Sequence, residues 1–214
     1  MQNRSVKLYR AIRAATLAGL LLPLVPADAQ SMRVEDLAQG KILVAPREST
    51  DPNFMNSVIV LAQYGQSGAL GLMIQYRSEL PIRKALSSVK GSEMRGDPIF
   101  IGGPVELPVV LGLLRGPSPP AGAKPVTARL YLMTSRLSIG DAMAAGRPAS
   151  DFRVFLGYSG WGAGQLEREV RRSGWYIFDY DESLVFDAHP ETLWDRLIAR
   201  TGRQLAMLDG SPGK

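Results

Sequence analysis

The chain has 214 residues, with 25 Lys and Arg against 20 Asp and Glu, 45% apolar residues, one His and no Cys. This composition excludes a disordered polyelectrolyte, a disulfide-stapled miniprotein and any thiolate chemistry. The net charge of +5 gathers at the start: Arg4, Lys7, Arg10 and Arg13 face only Asp28 within residues 1–29, which leaves 21 basic and 19 acidic groups (+2) on the other 185 residues. So weak a balance does not describe a nucleic-acid-binding surface.

The first segment reads as an export signal. Met1–Arg13 is polar and basic, Ala14–Val25 is an apolar run, and Ala27-Asp28-Ala29 forms an A-x-A pattern before Gln30. That layout predicts cleavage after Ala29 and a periplasmic product. The apolar run is shorter than the roughly 20 residues needed to span a bilayer. An uncleaved, cytoplasmic chain is the alternative. No later segment has the length and apolarity of a membrane-spanning helix.

Residues 30–39 read as a linker or short helix before a single domain over 40–208, and 209–214 as a flexible tail. Lys41–Ala45 is a compact strand ended by Pro46. Ser57–Gln63 is β-branched and predicts a buried strand. Ala69–Gln75 predicts its hairpin partner across a loop of about four or five residues. Pro81–Val89 fits a short helix. Pro98–Ile101 is a brief strand entering Gly102-Gly103-Pro104, and Val109–Leu114 is another. Arg115–Pro125, rich in Pro and Gly, is a surface loop. Ala128–Met133 is a strand and Ser138–Ala145 a helix. Phe152–Tyr158 is a strand running into a glycine-rich loop, and Gln165–Ser173 is a helix. Trp175–Phe178 and Ser183–Phe186 read as strands. Pro190–Arg200 is an amphipathic helix with Pro at its first position. Strands in hairpin order mixed with helices predict an α+β fold rather than βαβ winding.

Two glycine-rich stretches carry the candidate site. Gly102-Gly103-Pro104 follows a strand, and its backbone amides fit either an anion cradle or a tight packing turn. Ser159-Gly160-Trp161 through Gly164-Gln165 precedes a helix containing Glu167. There Trp161 either stacks on a ligand or fills the core. Gly157-Tyr158-Ser159-Gly160 is not a nucleophile elbow, because Trp161 stands where that motif requires glycine. His189 is the sole histidine and has no second His or Cys beside it, so no metal and no cofactor is expected. Glu167, Glu169, Asp179, Asp181, Glu182 and Asp187 read as a solvated charged face, with a catalytic pair as the alternative.

Several of these stretches occur in one order: Phe54–Ile59, Gly68–Ile74, Gly102–Val105, Gly157–Glu169, then Leu184–Phe186 through Trp194. In that order the chain resembles the YqgE/AlgH family, a bacterial domain without an assigned activity. The resemblance covers roughly Gly40–Leu205. It implies a compact α+β domain with a split, partly barrel-like, mainly antiparallel sheet surrounded by helices. It also attaches the label of transcriptional regulator, although no helix-turn-helix is visible. The chain departs from the family pattern at Gln75-Tyr76-Arg77, at Gln63-Tyr64-Gly65-Gln66 and in its leader. The first reading is a non-enzymatic binding or regulatory module of the cell envelope, with an unidentified ligand or protein partner and no nucleic acid. Its rivals are a hydrolase or transferase using backbone amides plus Glu167, and a cytosolic transcriptional regulator.

Overall fold

The computed structural model describes residues 31–208. Strands β1 (Ile42–Val44), β2 (Val58–Gly65) and β3 (Gly68–Met73) form an antiparallel meander. The unbroken apolar run of β2 has a simple cause, since both of its faces are covered. Val58 and Val60 enter a central core with Ile42, Leu72, Phe155 and Leu197. Ile59 and Leu61 point the other way, into a core with Trp161, Leu166, Val170 and Trp175. The β2–β3 turn is only Gln66-Ser67, because Gly65 and Gly68 already pair. It is tighter than the expected loop, and Gly68 at φ +122° permits the reversal.

Next come β4 (Arg77–Pro81), helix α1 (Ile82–Ala85), β5 (Pro98–Ile101), β6 (Val105–Arg115), β7 (Lys124–Pro125) and β8 (Leu130–Met133). Strand β4 is absent from the sequence reading. Its residues are polar because it lies at a margin, held on β5 by backbone pairing and by Ser78 Oγ donating to the Ile99 carbonyl at 2.7 Å. Helix α2 (Arg136–Ala144) starts where the Ser135 hydroxyl accepts from the Leu137 amide. Together α1 and α2 cover a third core that includes Ile82, Ile139, Met143, Phe152 and Val154.

Strand β9 (Phe152–Gly162) is the spine of the molecule. Its first half pairs antiparallel with β6 and parallel with β5, and Ser159–Gly162 pairs with β3. The stretch expected as a glycine-rich loop is therefore strand. Helix α3 (Gln165–Arg171) and β10 (Tyr176–Phe178) follow, with β10 closing on β1. The strand order is β10-β1-β2-β3-β9-β6-β8-β7, with β5 also on β9 and β4 on β5. The result is a mostly antiparallel sheet curled into a half-barrel with a few helices around it, a single α+β domain.

Residues 183–186 do not form the expected strand. Asp181 caps them as the short helix α4 (Glu182–Val185), its carboxylate accepting from the Ser183 amide at 2.8 Å. Pro190 opens a single 3-10 turn, and helix α5 (Leu193–Leu208) follows. Leu193, Leu197 and Ile198 enter the central core, and Trp194 Nε1 donates to the Ala45 carbonyl at 2.8 Å. Residues 31–39, read as linker, lie against the sheet. Ser31 exchanges two backbone hydrogen bonds with Ile177, and Leu37 is buried. The leader and the 209–214 tail lie outside the described residues. Among the described residues no helix is long and apolar enough to cross a membrane.

Candidate functional site

The fold brings the two glycine-rich stretches together. Ser159 Oγ donates to the Gly102 carbonyl at 3.3 Å. A Cβ on Gly102 would meet the Gly157 carbonyl oxygen at 2.4 Å, and one on Gly103 would meet the Ser159 nitrogen at 2.4 Å. These glycines let β9 cross the start of β6 at backbone contact. Gly157, at φ +67°, sits where β9 passes from β6 to β3, and β6 is irregular between Val105 and Val110 at the same level. Of the two readings of Gly102-Gly103-Pro104, the close contacts are those of a packing turn, and two of the amides at the seam are already committed. The Gly102 amide already donates to the Leu156 carbonyl, and the Gly162 amide donates to Gln165 Oε1 at 3.1 Å. Gly164 supplies the left-handed residue at which α3 begins.

Trp161 is only 4% exposed. Its ring stacks on Phe54 at 5.9 Å and meets Trp175 edge-on at 6.0 Å. The packing role is the one realised, because the pleat of β9 turns Ser159 and Trp161 inward and leaves Tyr158 and Gly160 half-buried on the other side. Glu169 anchors the cluster: its Oε2 accepts from the indole N–H of Trp161 at 2.9 Å and of Trp175 at 2.8 Å. Glu167 accepts from the Tyr64 hydroxyl at 2.8 Å. Burial, and then this bond, push the Tyr64 phenol up to about 12.

The other carboxylates are spread over the surface rather than paired with one another. Asp179 meets Lys41, Glu182 meets Arg115 and Arg129, and Asp187 meets Arg196. Ser159 is fully buried, whereas His189 is exposed beside Glu191. They do not form a nucleophile and its base. Among the described residues no three His, Asp or Glu side chains gather as a metal site.

What the seam offers to solvent is an open groove of about 720 Å³ above Gly160. Leu70, Ala69 and Val105 give it apolar surface, Tyr64 and Tyr158 aromatic surface, and Gln39, Gln63 and Ser67 side-chain amides and a hydroxyl. Among the described residues no charged side chain lines it. Of the candidate residues, Gly160 and the margin of Trp161 reach the groove, whereas Gly102, Gly103 and Ser159 are packed beneath the surface. Pro104, Gln165 and Glu167 flank the seam without lining the groove. The groove tyrosines and glutamines are not among the candidate residues: Gln63 and Tyr64 stand out in sequence only as a departure from the family pattern, and Tyr158 only as part of the glycine-rich block. Arg153, a buried cation on β9, was missed as well.

Fold and groove together define a single-domain α+β half-barrel built on a glycine-crossed strand. The chain belongs to the AlgH-like family, whose profile matches residues 42–206. It is 34% identical over 184 residues to a UPF0301 protein of Thioalkalivibrio sulfidiphilus, covering 81% of this chain and 95% of the relative. It is 32% identical over 178 residues to a UPF0301 protein of Chlorobium luteolum, covering 82% and 92%. The solution structure of the AlgH protein from Pseudomonas aeruginosa superimposes with a TM-score of 0.64 at 28% identity, over 82% of this chain and 95% of that one. A crystal structure from Corynebacterium diphtheriae shares the fold, with a TM-score of 0.63 at 20% identity, over 77% and 87%. The family is one of unassigned function.

Proposed function

We propose that this protein is a non-enzymatic binding module of the cell envelope, whose groove above Gly160 takes an uncharged ligand rich in hydrogen-bonding groups. The observation that carries this reading is the lining. Tyrosine rings and aliphatic side chains are interleaved with neutral amides, and among the described residues no cation lines the groove to neutralise a phosphate backbone. The nearby acids support binding over chemistry, since Glu169 is committed to two indoles and Glu167 to a phenol that stays protonated at neutral pH. Export rests on the tripartite leader. Ser31 already pairs with Ile177, so cleavage after Ala29 would leave the described hydrogen bonding intact.

Two measurements test this. N-terminal sequencing of the native protein after cell fractionation should find a start at Gln30 in the periplasm. Full-length chain in the cytosol would overturn export and favour the regulator reading. Separately, neutral chito-oligosaccharides titrated into isotopically labelled protein should shift the amides of Tyr64, Leu70 and Gly160. Ser67→Trp, at the exposed hairpin tip, should abolish those shifts. If Glu167→Gln instead abolished a turnover at unchanged Tm, the hydrolase or transferase reading would replace this one.

A further inference from the structure

A second cleft lies elsewhere on the curled sheet, between β4, β5 and the segment after α4. It holds about 270 Å³, just under the roughly 300 Å³ at which drug-sized pockets begin. Phe100, Phe186, Pro98 and Pro190 make its walls largely apolar, and Arg77 and Arg153 bring two cations to it. Arg153 is 7% exposed. Its guanidinium lies 4.5 Å from the centre of the Phe100 ring and 5.7 Å from that of Phe186. Nη2 donates to the Asp187 backbone carbonyl, and the buried Nη1 has no hydrogen-bond partner among the described residues.

The charge also lacks a direct ion pair among the described residues, and Asp187 offsets it only at a distance. Of the two buried arginines among the described residues, Arg95 is forked onto both oxygens of Asp97, whereas Arg153 makes no ion pair. The Asp187 carboxylate nearby is already shared between Arg196 and the His189 amide. Burial pulls the Arg153 guanidinium down to about 10, a sign of how poorly its charge is solvated. Arg77 is held only loosely, 3.6 Å from Glu191 at an exposed position. A buried guanidinium without a direct ion pair normally finds a carboxylate or phosphate, and its planar fork suits both.

We propose that this cleft binds a small organic carboxylate, its charged end received between Arg77 and Arg153 and its apolar body held against Phe186, Pro98 and Pro190. A monoanion fits better than a phosphate dianion. With Asp97 and Asp187 turned to Arg95 and Arg196, and Arg77 to Glu191, a single positive charge remains to be balanced. The walls also reward an apolar body more than a second charge. The site is separate from the groove above Gly160, so the two readings stand or fall independently.

The test uses the full chain with benzoate, hexanoate, inorganic phosphate and benzamide, followed by calorimetry and by side-chain NMR of Arg153 and Phe186. Benzoate and hexanoate should bind saturably at one site and move those signals, while phosphate and benzamide should bind at least tenfold more weakly. Arg77→Gln should weaken benzoate at least tenfold at unchanged Tm, because its exposed ion pair adds little to stability. Arg153→Gln should abolish binding; if it fails to fold, Arg77→Gln and Arg153→Lys carry the test. Ser67→Trp should leave benzoate binding as it was. Equal binding of benzoate to wild type and Arg77→Gln, or no response of the Arg153 signal, would reduce the cleft to packing. Tighter binding of phosphate than of benzoate would overturn the carboxylate assignment.

Discussion

Single side chains at the β3–β9 seam have sharply defined duties. Glu169 satisfies two indole donors that would otherwise be buried without partners. Replacing it by Gln keeps the shape and one oxygen for both indoles, but loses the charge on that oxygen and turns an NH2 group towards Gln165 Nε2, which donates to Oε1 of Glu169 at 3.0 Å. Glu169→Gln should cost about 1–2 kcal/mol, read as a lower urea midpoint at unchanged slope. Gly103 is a stricter case. Its φ is +155° and an added Cβ would strike β9 backbone atoms at 2.3–2.4 Å. Gly103→Ala should cost roughly 2 kcal/mol or more. Gly65→Ala, with nothing within 4 Å of the new carbon, should stay within about 0.5 kcal/mol of wild type. A loss of stability at Gly65 equal to that at Gly103 would mean that glycine serves only flexibility here.

Elements differ in how plainly the sequence announces them, and the reason is where each one packs. Strand β2 is legible because two covered faces demand an unbroken β-branched run, and α5 because one covered face demands a helical stripe. Strand β4 is not, since a marginal strand needs no apolar pattern and depends on β5 for its pairing. Segment 183–186 misleads because its apolar Leu-Val-Phe invites a strand, while the Asp181 cap starts a helix. Asp181→Ala removes that cap and should destabilise by about 1 kcal/mol, with the amide of Ser183 losing exchange protection. The glycine motifs left an anion cradle and a packing turn both open, because contact across strands, such as that of Gly102 and Gly103 with Gly157–Ser159, is not written in spacing. For Arg153 a signal was available: an arginine inside the otherwise apolar Phe152–Tyr158 run is a charge placed where burial is expected.

At the scale of the whole molecule, β9 joins what would otherwise be two sheets, pairing with β3, β5 and β6. Unfolding should therefore be a single cooperative transition, and Phe155→Ala, at a fully buried position on β9, should lower stability by about 3–5 kcal/mol. Alkaline pH supplies another global readout. Tyr64 and Tyr180 are both raised by burial from 10 to about 12. Their contribution is complete below pH 10 and is lost as pH rises through 12, because the unfolded chain releases those protons first. Tyr64→Phe should make the fall in stability between pH 10 and pH 12 less steep than in wild type.

The margins of the curled sheet are each blunted. At one end β7 is two residues long and one of them is Pro125, which cannot donate. At the other, Ser31 is bonded alongside β10. The remaining margin, β4, carries Arg77 and Glu79 and ends in Pro81. Each device leaves an approaching foreign strand without a register to copy. While copies of the chain are still folding side by side, such guarded borders keep one copy from zipping onto another into fibres.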